Sequence, residues 1–217
     1  AWFAHIPGLK VVCPTTSADA GDLLFEAIFD PDPVIFLEHR WLHNSIGLVE
    51  EKRSKDQIGK ARIVNYGNDV TIVSSSYMVV EAMRAKRSLD EIGVSSEIID
   101  LRSYNPIDWS TIKKSVAKTG RLIAVDSGFS TCSIASEIIS TISCENFTDL
   151  KSAPIKIAMP DCPEPTSFGL TKNFYVDSHS IVSEALKLLN VGKKVDLIDK
   201  LKSDPHDIPG DWFKGPF

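Results

Sequence analysis

Val70-Thr71-Ile72-Val73 is the first of three apolar, β-branched runs that decide the fold of this chain. The other two are Ile98-Ile99-Asp100-Leu101 and Leu122-Ile123-Ala124-Val125. Polar residues or glycine bound each run, as is usual for strands. Two stretches with helical periodicity separate the runs. This alternation predicts parallel strands joined by crossover helices.

The two intervening helices are predicted from the spacing of their apolar residues. The first carries Met78, Ala82, Ala85, Leu89 and Ile92, and Gly93 stands where a C-cap is expected. The second is predicted to begin at Asn105-Pro106, with asparagine as N-cap and proline at the first helical position, and to end at Gly120. Its apolar side is formed by Trp109, Ile112 and Val116.

The same alternation extends toward the start of the chain. Residues 9–13 predict a strand, and Thr16 with Asp19 resembles a capping box that opens a helix. That helix is predicted to bury Leu23, Leu24, Ala27 and Ile28. Residues 34–37 are continuously apolar and predict a strand that is buried on both faces. A β-α-β unit therefore precedes the central block.

The pattern also extends beyond the central block. A helix is predicted on Ile134, Ala135, Ile138, Ile139 and Ile142, followed by a strand over residues 155–159. A last helix begins at Asp177 or Ser178 and carries Ile181, Val182, Ala185, Leu186 and Leu189. We expect a mainly parallel open sheet with helices on both faces, whose final strand pairs antiparallel or lies at an edge. Its buried layers are predicted to contain Val70, Ile72, Ile98, Leu101, Ile123, Val125 and Ile157.

These patterns divide the chain into three parts. Residues 38–66 lose hydrophobic periodicity and include Glu50-Glu51-Lys52-Arg53, so we interpret them as a solvated connection with a domain boundary near residue 60. The parts are residues 1–60, residues 61–190 and a tail of residues 191–217. The tail carries Trp212, Phe213 and Phe217, which we expect to dock on a second copy of the chain or on the domain's own flank; a disordered tail is the alternative.

Composition excludes several classes of protein. The formal net charge is −5 with no basic block, so nucleic acid is not an expected partner. No apolar run is long enough to cross a bilayer, so a membrane is not one either. The four cysteines form no C-x-x-C pair, which predicts reduced thiols and a cytoplasmic protein. The chain opens in what looks like the middle of an element, so we expect a fragment of a longer protein.

The histidines are weak candidates for a site. His39 and His43 stand four residues apart, as metal ligands on a helix do, but their segment lacks helical periodicity and a third ligand. Ordinary loop residues are the favoured interpretation. His5 is either a site histidine or, the favoured alternative, a satisfied core residue.

Polar residues at the carboxyl ends of the predicted strands are the other candidates. Asp100 and Asp126 stand where open parallel sheets place ligands, although such carboxylates more often cap the next helix or turn. Ser74-Ser75-Ser76 precedes a helix N-terminus and could hold an anion, but a loop without an anion is an equal alternative. No nucleotide-binding, nucleophile-elbow or zinc-protease motif is present, so no residue is assigned a catalytic, cofactor-binding or metal-binding role.

Ala1-Trp2-Phe3-Ala4-His5-Ile6-Pro7-Gly8-Leu9-Lys10 and Asp32-Pro33-Val34-Ile35-Phe36-Leu37-Glu38 carry a resemblance to a known family. Further matching segments, in the same order up to about Asn190, are residues 59–61, 69–73, 99–102, 106–108, 118–122, 135–138, 153–155 and 160–161. Together they resemble the β subunit of the E1 component of 2-oxo acid dehydrogenases, in the transketolase-like superfamily. The resemblance implies the end of a pyrimidine-binding domain, then a transketolase C-terminal domain.

The resemblance implies thiamine diphosphate and magnesium in the parent enzyme and no cofactor in this chain. The family's G-D-G motif is incomplete at Gly21-Asp22 and at Gly210-Asp211, which lack the glycine that follows the aspartate. The family's catalytic glutamate and His-Ser-Gln histidine would precede Ala1, and His5 is not that histidine. The implied role is subunit assembly and part of the active-site wall of a pyruvate dehydrogenase-like enzyme, with this chain alone inactive.

The resemblance also implies partners: a second copy of the chain, an E1 α subunit and an E2 acyltransferase core. Docking to the E2 core is the least supported, since Ser152 stands where some relatives carry an acidic residue. The turn Gly128-Phe129-Ser130-Thr131 also departs from the glycine-rich turn of relatives. Two alternatives remain open: a transketolase or deoxyxylulose-phosphate synthase-like protein, and a non-catalytic assembly module.

Overall fold

A five-stranded sheet and a three-stranded sheet organise the protein. The computed structural model describes residues 1–49, 57–192 and 206–208. The strands are β1 (Lys10–Val12), β2 (Val34–Phe36), β3 (Arg62–Asn65), β4 (Val70–Ser74), β5 (Ser96–Asp100), β6 (Ser103–Asn105), β7 (Leu122–Phe129) and β8 (Ile155–Met159). The helices are α1 (Ser17–Phe29), α2 (Tyr77–Asp90), α3 (Trp109–Thr119), α4 (Ile134–Glu145), α5 (Phe168–Thr171) and α6 (Ser178–Leu188).

The strand order is β3-β5-β4-β7-β8 in the larger sheet and β2-β1-β6 in the smaller one. The larger sheet is mainly parallel, as predicted. Strand β4 pairs in parallel with β5 and β7, and β7 pairs in parallel with β8. The final strand lies at an edge, also as predicted. The antiparallel strand is β3 at the opposite edge, in a segment that we interpreted as a solvated connection. That interpretation was wrong for β3 because its four half-buried residues are placed by pairing with β5, a contact that a short local pattern does not reveal.

Helices cover both faces of this sheet, which confirms the predicted architecture. Alternate residues of each strand enter different cores, as the two-residue period of a strand requires. Ile72, Ile98 and Ile123 enter the core formed with α2 and α6. The core on the opposite face, with α3 and α4, includes Val73, Ile99 and Ala124. All of the sheet residues predicted to be buried are buried.

Helix α3 begins later than predicted. Its N-cap is Asp108, whose side chain accepts a hydrogen bond from the Thr111 backbone N–H at 3.1 Å. Asn105 instead ends β6, and its side-chain amide donates to the Leu9 carbonyl at 2.8 Å. The predicted cap therefore supports the pairing of β6 with β1 inside the three-stranded sheet. The predicted end is confirmed, since Gly120 adopts the left-handed conformation with φ 73°.

The β-α-β unit at the front is confirmed, with β1 and β2 parallel. Strand β6 joins it antiparallel to β1, so the unit incorporates a strand from within the central block. Thr16 caps α1 by accepting from the Asp19 backbone N–H at 3.2 Å, as predicted.

Burial in this unit is lower than predicted. Leu23 is fully buried, but Leu24 and Ile28 are 47% and 67% exposed, and Ala27 is only half-buried. Every residue of β2 is half-buried because β2 is an edge strand. The prediction failed because apolar periodicity shows which residues can be buried, whereas only the neighbouring elements decide which ones are.

Several predictions lie outside the described residues. Trp212, Phe213 and Phe217 are among them, so docking of the tail stays a prediction, and so does the solvation of the acidic and basic run that starts at Glu50. Within the described part, no helix combines the length and apolar character that a bilayer crossing requires.

Candidate functional site

The carboxyl ends of β4 and β5 meet the three-stranded sheet along a surface that we call the seam. The Cys13 backbone N–H donates to the Arg102 carbonyl at 2.8 Å. The Thr15 hydroxyl donates to the Ser76 carbonyl at 3.3 Å. Open parallel sheets place ligands beyond their carboxyl ends. In this protein the chain itself covers that edge.

One part of the seam is a neutral cluster of Cys13, Ser75 and Tyr104. The Ser75 and Tyr104 hydroxyls are 2.5 Å apart. Burial raises the pKa of the Cys13 thiol and raises the pKa of Tyr104 well above its usual value. Because only a thiolate is a strong nucleophile, a buried thiol held neutral does not serve as one. This cluster therefore packs the seam and offers no reactive group.

A second part of the seam is an ion-pair cluster centred on Asp19. Arg62 Nη2 lies 2.7 Å from Asp19 Oδ2, and Arg102 Nη1 lies 3.1 Å from Asp19 Oδ1. The Arg102 side chain also donates to the Lys60 carbonyl at 3.0 Å and to Gln57 Oε1 at 2.9 Å. Asp19 and Arg102 are only 4% and 6% exposed, so these charge-assisted bonds are shielded from water. The cluster ties α1 to the five-stranded sheet and the helices packed on it, which together we call the larger domain.

Asp100 lies beside this cluster. It is fully buried, its Oδ1 accepts from the Arg102 backbone N–H at 3.2 Å, and its Oδ2 lies 3.7 Å from Arg62 Nη2. Burial raises the pKa of Asp100 to about 7, and the charge on Asp19 acts in the same direction. Sequence placed Asp100 at a strand end, which is correct, but its surroundings belong to the seam and not to an open ligand site.

Asp126 and the serine run have local roles. Strand β7 continues past Asp126, whose carboxylate accepts from the Gly128 N–H at 2.8 Å and from the Ala135 N–H at 3.3 Å. This is the turn-capping and helix-capping role that we considered more common. The Ser74 and Ser76 hydroxyls lack hydrogen-bond partners among the described residues. Ser74 is the register partner of Asp100, so an anion bound at the Ser74 hydroxyl would lie next to the acidic side chain of Asp100.

His39 and His43 lie in a cleft of about 440 Å³ that also includes Thr15 and Glu38. His39 caps a short 3₁₀ helix (Arg40–Leu42) by accepting from the Trp41 N–H at 3.3 Å, and its ring stacks on Tyr77 with centroids 5.1 Å apart. Burial lowers the pKa of His39, so its ring is neutral at pH 7. The two histidines do not share a helix face, in agreement with the loop interpretation.

His5 lies in a second cleft, of about 640 Å³, beside Tyr104, Trp109 and Cys132. It is exposed, so the core interpretation was wrong: the first residues form turns outside the sheets. The N-terminus of α4 lies in the same wall, but Ser133 caps it by accepting from the Ser136 N–H at 3.1 Å.

The donors in these clefts do not match a metal-diphosphate centre. Magnesium prefers an octahedral shell of oxygen ligands, usually carboxylates, water and phosphate. Among residues 1–49, 57–192 and 206–208, no group of three or more His, Cys, Asp or Glu side chains could hold a metal ion. We therefore assign none of these described residues to magnesium or to thiamine diphosphate. That this chain alone binds neither stays a prediction.

The Asp19 cluster could not be predicted from the sequence because its members are far apart in the chain. Asp19 was interpreted only as part of a capping box, and Arg62 fell in the supposed connection. The left-handed backbone conformation of Arg102, with φ 55°, could not be recognised from the neighbouring sequence either. A charged residue directly after a buried strand was the one available sign.

Comparison with known proteins gives two family matches. Residues 59–181 match the transketolase C-terminal domain, and residues 1–44 match the transketolase pyrimidine binding domain. One similar structure is a split gene transketolase, an inactive β4 tetramer, with a TM-score of 0.72. It is 22% identical and covers 88% of this chain and 61% of that one, so it supports the fold alone.

Two relatives illustrate the similarity in sequence. The acetoin:2,6-dichlorophenolindophenol oxidoreductase subunit beta of Cupriavidus necator is 40% identical over 191 residues, covering 88% of this chain and 56% of the relative. The pyruvate dehydrogenase E1 component subunit beta-1, mitochondrial, of Arabidopsis thaliana is 42% identical over 176 residues, covering 79% and 48%. The chain thus spans about half the length of these relatives.

Proposed function

Because this chain belongs to the transketolase C-terminal domain family, we propose that it is the C-terminal part of a thiamine diphosphate-dependent E1 β subunit. In that protein it would serve subunit assembly and form part of the active-site wall. The observation that carries the proposal is the similarity to β subunits of pyruvate and acetoin enzymes along most of this chain. The resemblance seen in the sequence agrees with it.

The geometry supports an assembly role in two ways. The seam fixes the part that matches the pyrimidine binding domain onto the part that matches the C-terminal domain, through buried charges at Asp19 and Arg102. Helix α1 also presents apolar side chains to solvent, including Ile28 and Phe29 at 67% and 71% exposure. Contiguous exposed apolar groups are typical of surfaces that associate with another protein.

The proposed substrate of the parent enzyme is a 2-oxo acid such as pyruvate. Acetoin is a second candidate, because the Cupriavidus necator relative is named for it. The parent would use thiamine diphosphate with magnesium, held by residues outside this chain, and would work with an E1 α subunit. A second copy of the chain is a further proposed partner, whereas an E2 acyltransferase core is the least supported one.

Three further statements stay proposals. We divide the chain into residues 1–60, 61–190 and 191–217, with the last part as a tail. We keep a cytoplasmic location as a prediction, although some relatives are mitochondrial by name. We also expect the four cysteines to be reduced in the cytoplasm.

The proposal is tested by co-expressing this chain with a tagged α subunit of the pyruvate or acetoin dehydrogenase type. We expect a stoichiometric complex in light scattering, and its absence with both α subunits would refute the assembly role. Reduction of 2,6-dichlorophenolindophenol in the presence of pyruvate or acetoin then distinguishes the substrates for any complex that contains a whole β subunit. Calorimetry of this chain alone should detect no thiamine diphosphate binding; micromolar binding would contradict the proposed division of roles.

A further inference from the structure

We propose that Asp100 is a proton-controlled latch at the seam: when protonated it leaves Arg62 bound to Asp19, and when ionised it competes for Arg62 and loosens α1. The proposal is independent of the enzyme to which the chain belongs. It rests on the position of Asp100 in the sheet and on how the neighbouring charges are paired.

Asp100 lies in a polar row that crosses three strands. It is the register partner of Arg62 on β3 and of Ser74 on β4. Its Oδ2 has no hydrogen-bond partner among the described residues, and neither does the Ser74 hydroxyl. Register partners on adjacent strands lie on the same face of the sheet, yet these two groups are not hydrogen-bonded to each other. A protonated Oδ2 can donate to Ser74, whereas an ionised Oδ2 can accept from it.

Because both arginines pair closely with Asp19, Asp100 is the carboxyl group of this cluster without a close cationic partner. Both guanidinium groups are directed at Asp19, with N–O distances of 2.7 Å from Arg62 and 3.1 Å from Arg102. Arg62 Nη2 is 3.7 Å from Asp100 Oδ2, which is too long for a good hydrogen bond. A buried carboxylate without a close cationic partner is costly, so the neutral form is favoured.

The remaining groups around Asp100 agree with this assignment. The Thr15 hydroxyl and the Arg102 backbone N–H favour the ionised form, and so does the charge of Arg62. Burial and the Asp19 carboxylate oppose it, and burial is the largest contribution. The balance raises the pKa of Asp100 to about 7, within the range where cellular pH varies. The Cys13 thiol, also near Asp100, stays neutral because burial raises its pKa.

Ionisation would change the partner of Arg62. An uncompensated charge on Oδ2 attracts the guanidinium across the present gap of 3.7 Å. Arg62 is 36% exposed and can move, whereas Arg102 is held by Lys60 and Gln57. Asp19 would then lose one of its two cations, which weakens the bond between α1 and the larger domain.

The sign of the pH effect follows from the raised pKa. Between the ordinary value of 3.8 and about 7, the folded protein binds the proton more tightly than the unfolded chain does. Stability therefore falls as the pH rises through this window and levels off above it. An asparagine at this position cannot ionise, yet it keeps an acceptor and a donor of the same shape.

The test combines carboxyl titration with the variant D100N. Carbon NMR of labelled aspartate should show the Asp100 carboxyl titrating with a midpoint near 7 in the wild-type chain. Relative to that of D100N, the melting temperature of the wild type should fall by roughly 4 °C or more between pH 5 and pH 8.5. Hydrogen exchange in α1, corrected for the intrinsic pH effect, should accelerate between these pH values only in the wild type. D126N is the control, and its pH profile should parallel that of the wild type.

A midpoint below pH 5 for Asp100 would overturn the proposal, as would parallel profiles for wild type and D100N. If D100N does not fold, the wild-type titration and the exchange of α1 decide by themselves. Titration near pH 7 with no change in α1 exchange would also refute the latch, since the proton would then be uncoupled from the seam.

Discussion

Strands β4 and β2 are both short apolar runs, yet the structure uses them differently. Every residue of β4 is buried, whereas every residue of β2 is half-buried. The same contrast separates the helices: α2 buries eight residues and α1 buries only Asp19 and Leu23. The difference lies in what surrounds them, because the larger sheet has helices on both faces and β2 is an edge strand beside α1.

This contrast teaches that the two regions are stabilised differently. The larger domain is held by apolar burial, which is proportional to the area removed from water. The N-terminal unit has few fully buried apolar residues and depends on the charged seam. Stability should therefore respond to apolar truncation in one region and to loss of charge in the other.

The largest expected effect is truncation in the central sheet. Ile123 is fully buried between two parallel strands, so Ile123→Ala should lower the free energy of unfolding by about 2–5 kcal/mol. The matched change Ile28→Ala on α1, where the side chain is 67% exposed, should stay within about 0.5 kcal/mol. Urea denaturation measures both. Equal losses would break the distinction between the two regions.

Removal of the Asp19 carboxylate at the centre of the seam should cause the second-largest loss of stability. Asp19→Ala leaves Arg102 buried without its acidic partner, which costs about 3 kcal/mol by analogy with other broken buried pairs. Asp32→Ala is the control, since Asp32 pairs with Lys10 at 3.1 Å but is exposed, and should cost at most about 1 kcal/mol. Proteolysis of α1 should accelerate only in the Asp19 variant. Identical denaturation curves for the two variants would show that the seam contributes no stability.

The larger sheet and the N-terminal unit also differ in how well the sequence predicts them. Four strands of the larger sheet were predictable, because β4, β5, β7 and β8 have enough apolar residues to be recognised locally, whereas β3 was not. Helices α2 and α4 were predictable from their clear periodicity. Burial of α1 was not predictable, since Leu24 and Leu23 are chemically identical and only their neighbours differ. Strand β6 was missed because its three residues are defined by pairing with β1.

The candidate site was harder to predict than the fold. Asp100 was identified from its position at a strand end, but its relation to Asp19 and Arg62 depends on contacts between distant segments. His5 was misplaced because an apolar neighbourhood in sequence does not imply burial in space. Family resemblance supplied the assembly role, which no local motif encodes.

A smaller loss of stability is expected when a buried charge in the larger domain is removed. Glu81 on α2 is 2% exposed and accepts from the Tyr77 hydroxyl at 2.5 Å and from the Ser178 N–H at 2.8 Å. Glu81→Gln removes charge-assisted acceptance that joins α2 to α6, and should cost about 2 kcal/mol. Glu184→Gln, which alters a surface pair with Lys187, should cost about 0.5 kcal/mol or less. A loss at Glu81 as small as at Glu184 would mean that apolar packing alone holds α6.

The smallest effect on stability is expected on the exposed face of α1, where Phe25 and Phe29 have ring centroids 4.8 Å apart. The side chains are 46% and 71% exposed, so the double change Phe25→Lys and Phe29→Lys should alter the free energy of unfolding by about 0.5 kcal/mol or less. If this face contacts a second copy or an α subunit, the same double change should weaken association by tenfold or more, because buried lysines lack partners there. Light scattering over a range of concentrations measures the association, and a double change Lys113→Ala and Lys114→Ala on α3 is the control. Unchanged association together with unchanged stability would show that the aromatic pair on α1 belongs to no interface, and that its exposure needs another explanation.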